Sequence, residues 1–308
     1  MCQGAVVIDP QLQAVLSALD QAGAVPLVRG SAQQTRAHYR ALSTGRRGPG
    51  FVPEAVTEIR DETIEGAGGP LPLRVYFPAD DRGRVVTYLH GGGWVVGDLD
   101  THDPVCRRVA NTVGAVVVSV GYRLAPEHRH PGAVADTMAA LAWSAETFPG
   151  RTVGIAGDSA GATLAAVAAL ATRGGGVELA AQMLLYPATD PTMSRPSVRE
   201  NGEGYFLTRS DMEWFQRQYF SGGPEDASLD LLAADVVGAP AAVVATAEFD
   251  PLRDEGDAFA ARLEGAGVRV RHLPGPGLIH GYFAFLGIAA AADAQSARVL
   301  AAFDELLG

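Results

Sequence analysis

Lysine is absent from all 308 residues, so the 24 basic side chains are all arginines. That absence excludes chemistry needing a lysine amine, from a Schiff base with a carbonyl or pyridoxal group to a Walker-type or kinase-type phosphate lysine. Positive charge is scarce overall. Against 35 Asp and Glu the formal net charge is −11, which repels nucleic-acid phosphate and anionic lipid. The expected partners are neutral or cationic small molecules, with no nucleic acid and no membrane. Cysteine is nearly missing too: Cys2 and Cys106 cannot build a disulfide framework, and neither has CxxC or Cys/His zinc spacing. A reducing, cytoplasmic compartment is the expectation. Long hydrophobic runs are lacking. The most apolar stretch, 164–171, is mostly alanine and far short of a membrane span, and the apolar run 5–8 is too short for the core of a signal peptide. What is there, 47% hydrophobic and 19% charged residues, is the balance of a chain that folds around a sizeable core.

Residues 9–23 carry a full helix signature: Asp9 as N-cap, Pro10 in the first turn, Leu12, Val15, Leu16 and Leu19 on one face, and Gly23 as stop. A second helix is expected over 31–42, followed by a Gly/Pro/Arg linker at 45–53. The pattern then turns to short β runs. Residues 56–64 and 71–77, separated by a glycine-rich turn, read as an antiparallel hairpin. Beyond them, strand candidates at 85–89, 115–120, 152–156, 182–186, 241–247 and 268–273 alternate with helices at 104–112, 133–147, 159–173, 253–266 and 290–307. That alternation predicts a mostly parallel sheet with helices on both faces. One stretch breaks it: 189–234 lies between two strands, holds several Pro and Gly, and carries a short aromatic helix near 211–220. An insertion of that length in such a fold is usually functional. With the N-terminal helices it is expected to form a lid.

Gly157-Asp158-Ser159-Ala160-Gly161 directly follows a strand and opens a helix, the context of a nucleophile elbow. The pattern by itself arises by chance in roughly one such glycine-rich chain in six, so the context carries it. His90-Gly91-Gly92-Gly93-Trp94 follows another strand. Three consecutive glycines suit a place where backbone N–H groups point into a cavity unobstructed, as in an oxyanion hole for acyl transfer. A serine nucleophile needs a base and an orienting acid, and in this architecture both follow it in the chain. The histidines after residue 159 are His272, which continues a strand alternation, and His280, which reads as lying in a Gly/Pro loop past that strand and is favoured as base. For the acid, Asp250 at a strand end is favoured, with Glu248 as its rival; Glu248 could equally brace a loop. Asp254 and Asp257 fit ordinary first-turn helix carboxylates. The Glu127-His128-Arg129-His130 cluster lacks metal-site spacing. The acidic stretch 98–103 reads as a solvated loop, and Trp94, Tyr205 and Phe206 are candidates for lining a substrate cavity.

Taken together, HGGGW at 90–94, YRLAPEH at 122–128, GDSAG at 157–161, GYFLT at 204–208, DPLRDEG at 250–256 and IHG at 279–281 resemble the hormone-sensitive-lipase-like (bacterial family IV) carboxylesterases of the α/β-hydrolases. The resemblance covers nearly the whole chain. It implies an α/β-hydrolase core over 51–188 and 235–308, with a helical cap from 1–50 and 189–234. It further implies Ser159 as nucleophile, His280 as base, Asp250 as orienting acid, and the N–H groups of Gly91, Gly92 and Ala160 as oxyanion donors. His90 would then position the glycine loop, and the Glu127–His130 cluster would brace a loop. The implied function is hydrolysis of short- to medium-chain carboxylic esters through an acyl-enzyme, with no cofactor or metal and a small-molecule ester as partner. The family's habit of pairing through its last strand and helix suggests a homodimer. A dedicated deacylase of a natural product or drug-like ester, or a non-hydrolytic ligand-binding protein on the same scaffold, are the other readings.

Overall fold

A computed structural model describes residues 7–45, 51–220 and 229–308. Part of the expected linker and part of the 189–234 insertion therefore lie outside the described residues. The N-terminal helices are α1 (Pro10–Gln21) and α2 (Ala32–Gly45). Asp9 caps α1 as its sequence predicts, accepting from Gln11 N and Leu12 N. An antiparallel hairpin of β1 (Glu58–Gly66) and β2 (Gly69–Phe77) follows.

The main body alternates as expected: β3 (Arg84–Leu89), α3 (Asp103–Val113), β4 (Ala115–Val120), α4 (Gly132–Thr147), β5 (Thr152–Asp158), α5 (Ala160–Ala171) and β6 (Ala181–Leu185). After the insertion, which holds α6 (Pro196–Glu200) and α7 (Arg209–Tyr219), come β7 (Ala241–Phe249), α8 (Arg253–Gly265), β8 (Val270–Ile279) and α9 (Ala290–Leu307). The strands form one sheet in the order β1-β2-β4-β3-β5-β6-β7-β8. Pairs β1/β2 and β2/β4 are antiparallel; all others are parallel.

Central strands are covered on both faces, which is why β3 and β4 are buried at every position and mostly apolar, with no exposed polar alternate. Val86 and Tyr88 face a core shared with α1, α3 and α9, while Val85 and Leu89 face the core of α4, α5 and α8. Helix α5 is buried along nearly its whole length, and its alanines let it sit close to the sheet without losing helix propensity.

Two readings of exposed segments change. The acidic stretch 98–103 is a paired hub rather than a solvated loop: Arg40 reaches Asp98 and Asp100, and Arg74 binds Asp100 at 2.8 Å. Asp103 takes Arg107 at 2.9 Å. The Gly/Pro run after residue 273 is not loop but the second half of β8. Ala247 pairs with Gly275 and Phe249 with Ile279, so β8 advances four residues where β7 advances two. This bulge absorbs the residues that disguise the strand in the sequence.

Candidate active site

Strand β3 lies between β4 and β5, so the connection through α3 runs to one side of it and the connection through α4 returns to the other. Such a switch point opens a crevice at the carboxyl ends of the strands. His90-Gly91-Gly92-Gly93 leaves β3 there, and Ser159 leaves β5.

Ser159 has φ 53° and ψ −124°, a region that side-chain-bearing residues rarely occupy. Its N–H is held by Leu185 O at 2.8 Å. The flanking glycines are required by contact. A Cβ on Gly157 would stand 2.5 Å from the Gly161 backbone, and one on Gly161 would stand 2.1 Å from Leu89 O. The turn thus presents Oγ at the positive end of α5.

His280 Nε2 lies 3.0 Å from Ser159 Oγ, and His280 Nδ1 donates to Asp250 Oδ2 at 2.7 Å. Asp250 is fully buried; its other oxygen accepts Leu252 N at 2.8 Å. The carboxylate fixes the tautomer, leaving Nε2 free to take a proton from the serine. His272 is elsewhere, 2.9 Å from Asp257. Glu248 braces the β8 bulge, accepting Gly277 N at 3.1 Å, and takes no part in the cluster.

Asp250 is also held from the insertion, which the sequence reading missed. Asn201 Nδ2 donates to both Glu248 O and Asp250 O at 3.1 Å. Ser197 adds a bond from Oγ to Pro251 O at 2.7 Å, and its N–H donates to Asp254 at 2.8 Å. Polar residues in a Gly/Pro-rich stretch carry no sequence signal for such a role.

The glycine loop corrects one expectation. Gly91 N–H is committed to Asp158 Oδ1 at 3.0 Å, so it cannot donate into the cavity. A Cβ on Gly91 would meet Asp158 at 2.3 Å, which is why glycine stands there. Gly92, Gly93 and Ala160 line the cavity, and among the described residues their N–H groups have no protein acceptor. The three N–H groups of a GGG run look alike in sequence; the positive φ values of Gly92 and Gly93 decide which way each points.

Behind the loop lies a buried polar layer. Asp158 also accepts Tyr88 Oη at 2.9 Å and faces His102 at 3.4 Å. Burial opposes its ionisation, but His102 and Tyr88 hold its pKa below the usual carboxylate range. His90 donates from Nδ1 to Gly91 O at 2.8 Å and stacks on Tyr122 at 4.2 Å. Burial, and secondarily His102, push His90 down to about 4, so it is neutral. The neighbouring 125–130 segment is braced as expected: Glu127 pairs with Arg36, which also donates to Val95 O at 2.8 Å and Ala125 O at 2.7 Å. Arg36 thereby ties α2 to the chain just past the glycines.

Ser159 and His280 open on a cavity of 80 Å³ walled by Trp94, Phe206, Leu27, Tyr39, Met212 and Phe215. Trp94 and Phe206 fall where expected, but Tyr205 does not. It packs on Phe249 at 5.1 Å and faces a separate groove beside α1.

Comparison with known proteins agrees with this geometry. Residues 86–284 match the model of a family described by its alpha/beta hydrolase fold. A carboxylesterase of Mycobacterium tuberculosis, NlhH, is 41% identical over 88% of each chain. An ethyl acetate hydrolase of Pseudomonas putida is 36% identical over 97% of this chain and 99% of its own. The solved esterase of the archaeon Pyrobaculum calidifontis superposes with a TM-score of 0.88 at 38% identity, over 97% of this chain and 98% of that one. Fold, motif order and these likenesses converge: the chain belongs to the α/β-hydrolase fold family, in its hormone-sensitive-lipase-like branch of carboxylic ester hydrolases.

Proposed function

We propose that the protein is a serine carboxylesterase for short- to medium-chain esters. The observation that carries this reading is the relay Asp250–His280–Ser159, 2.7 and 3.0 Å long, on a strained elbow facing an apolar cavity. Ser159 Oγ attacks the ester carbonyl as His280 Nε2 takes its proton. The imidazolium so formed is stabilised by the buried Asp250 carboxylate. Charge developing on the carbonyl oxygen is met by the N–H groups of Gly92, Gly93 and Ala160, each worth about 3 kcal/mol to the transition state. The intermediate collapses, His280 returns the proton to the leaving alcohol, and an acyl-serine remains. Water then enters, gives its proton to His280, and releases the acid by the same steps. No metal or cofactor enters this sequence of steps.

We also assign residues 1–50 and 189–234 to a cap over the 51–188 and 235–308 core. Its support is that Leu27, Tyr39, Met212 and Phe215 roof the cavity, and that Val28 N donates to Asp211 at 3.0 Å, joining the two pieces. A small, roofed apolar site suits short and medium acyl chains. The test is hydrolysis of aryl esters of increasing acyl length by the wild type and Ser159→Ala, with folding checked by circular dichroism. Turnover that falls about 10³-fold or more in a folded variant is expected. Equal turnover by the variant, or none by the wild type, would overturn the reading.

A further inference from the structure

Beside the main cavity lies a smaller recess of 30 Å³. Trp94, Ala188, Met212, Gln216 and Leu252 border both spaces, and Gln216 Nε2 donates to Pro191 O at 3.1 Å. Ala188, with nothing beyond Cβ, stands on the wall the two spaces share. Thr163 stands on the recess wall one helical turn after Ser159, about 5–6 Å along α5 from the nucleophile.

Two polar atoms of residues on that wall are buried and without a partner among the described residues: Trp94 Nε1 and Glu255 Oε2. Glu255 is 1% exposed. Its other oxygen accepts Thr189 N at 2.7 Å and Asp190 N at 3.2 Å, at the root of the insertion. Neighbouring polar groups are engaged: Thr163 Oγ1 donates to Ala188 O at 2.7 Å, and Asp190 binds Arg195 at 3.0 Å. An indole N–H can only donate. Burial pushes the Glu255 carboxyl well above its usual range, against the pull of its two backbone N–H partners. A buried indole donor lacking an acceptor is costly, and an oxygen acceptor on the recess side of Trp94 satisfies it.

We propose that this recess is a substrate subsite, bordered by Trp94, Ala188 and Glu255, that takes an ether, hydroxyl or carbonyl oxygen on one arm of the ester. The inference rests on the esterase reading of Ser159. From the helical rise, the oxygen sits about three to five atoms beyond the reacting carbonyl.

Two matched pairs test it: aryl 4-methoxybutanoate against aryl hexanoate for the acyl arm, and 3-methoxypropyl acetate against pentyl acetate for the alcohol arm. The wild type is expected to favour the ether in one pair by about tenfold in kcat/KM, and the pair concerned identifies the arm. Trp94→Phe, which keeps an aromatic ring but not the N–H, should shrink the preference; Ala188→Leu, which adds bulk at the shared wall, should abolish it. Glu255→Gln should retain it, because Trp94 keeps its N–H and the amide oxygen still accepts from Thr189 and Asp190. Equal rates within both pairs, with the alkyl esters turned over, would mean the recess holds water only and would end the proposal while leaving the esterase intact. A preference untouched by Trp94→Phe and Ala188→Leu would end it as well. No turnover of any of the four esters would remove the esterase reading and the subsite with it.

Discussion

His90 makes the protein sensitive to acid in a way that one substitution isolates. Its imidazole is buried, donates to Gly91 O, and is pushed down to about 4 from an ordinary 6.5. Between those two values the unfolded chain binds a proton that the folded protein refuses, so this group lowers stability as pH falls from 6.5 toward 4. At pH 4.5 its contribution is about 2.5 kcal/mol against folding relative to pH 7.5. Asp158 does not confuse the comparison. Its pKa lies below 3.8 when folded, so its stabilisation is still nearly complete at pH 4.5 and is lost only as pH falls further. Glu255, raised well above 4.5, acts with the opposite sign: its folded form keeps a proton that the unfolded chain releases as pH rises. The wild-type profile is therefore a sum, and the informative quantity is the difference from His90→Asn, which keeps a donor for Gly91 O but cannot titrate. Urea unfolding at pH 7.5 and 4.5 should show the wild type losing roughly 2.5 kcal/mol more than the variant over that interval, a midpoint difference of roughly 1 M. Identical losses in the two proteins would show that His90 is not held neutral, and the account of the layer behind the glycine loop would fail.

Asn201→Ala should lower kcat by about tenfold or more with little change in KM, because the Asp250 segment loses its tether while the cavity wall stays in place; unchanged kcat would free the insertion from any part in holding the acid. Gly161→Ala drives a methyl group to within 2.1 Å of Leu89 O and should cost roughly 3 kcal/mol, read as a fall in melting temperature, and a variant with wild-type melting and activity would refute the packing argument for that glycine. Cys106 is buried and its thiol is pushed up by burial, so Ellman's reagent should leave it untouched in the native protein and titrate it only in denaturant.

What could be seen in the sequence was what is local. Ser159 was legible because strand, tight turn and helix sit within a few residues, and the glycines that the turn demands are contiguous with it. Asp250 was legible as a carboxylate at a strand end. Gly91 was misassigned because three identical glycines differ only in backbone direction, and the carboxylate that claims the first N–H is Asp158, 67 residues away. The pairing of Asp98 and Asp100 with Arg40 and Arg74 joins segments up to 60 residues apart, so the acidic run read as solvated. Strand β8 was cut short for another reason: proline and glycine signal a loop unless a bulge, here braced by Glu248, gives them a place within the sheet. Tyr205 and Phe206 are adjacent and equally aromatic, and only the turn between them and α7 sends one to the cavity and the other to Phe249.

The bond between His280 and Ser159 spans 121 residues of chain. At a synthesis rate of about 5–20 residues per second, Ser159 leaves the ribosome's active centre roughly 6–24 seconds before His280 is even polymerised. During that interval the elbow is a serine without its histidine partner, and of the residues that line its cavity Leu27, Tyr39 and Trp94 precede it in the chain while Phe206, Met212 and Phe215 follow. On the proposed esterase reading, a chain stalled anywhere before residue 280 therefore carries the serine without its general base.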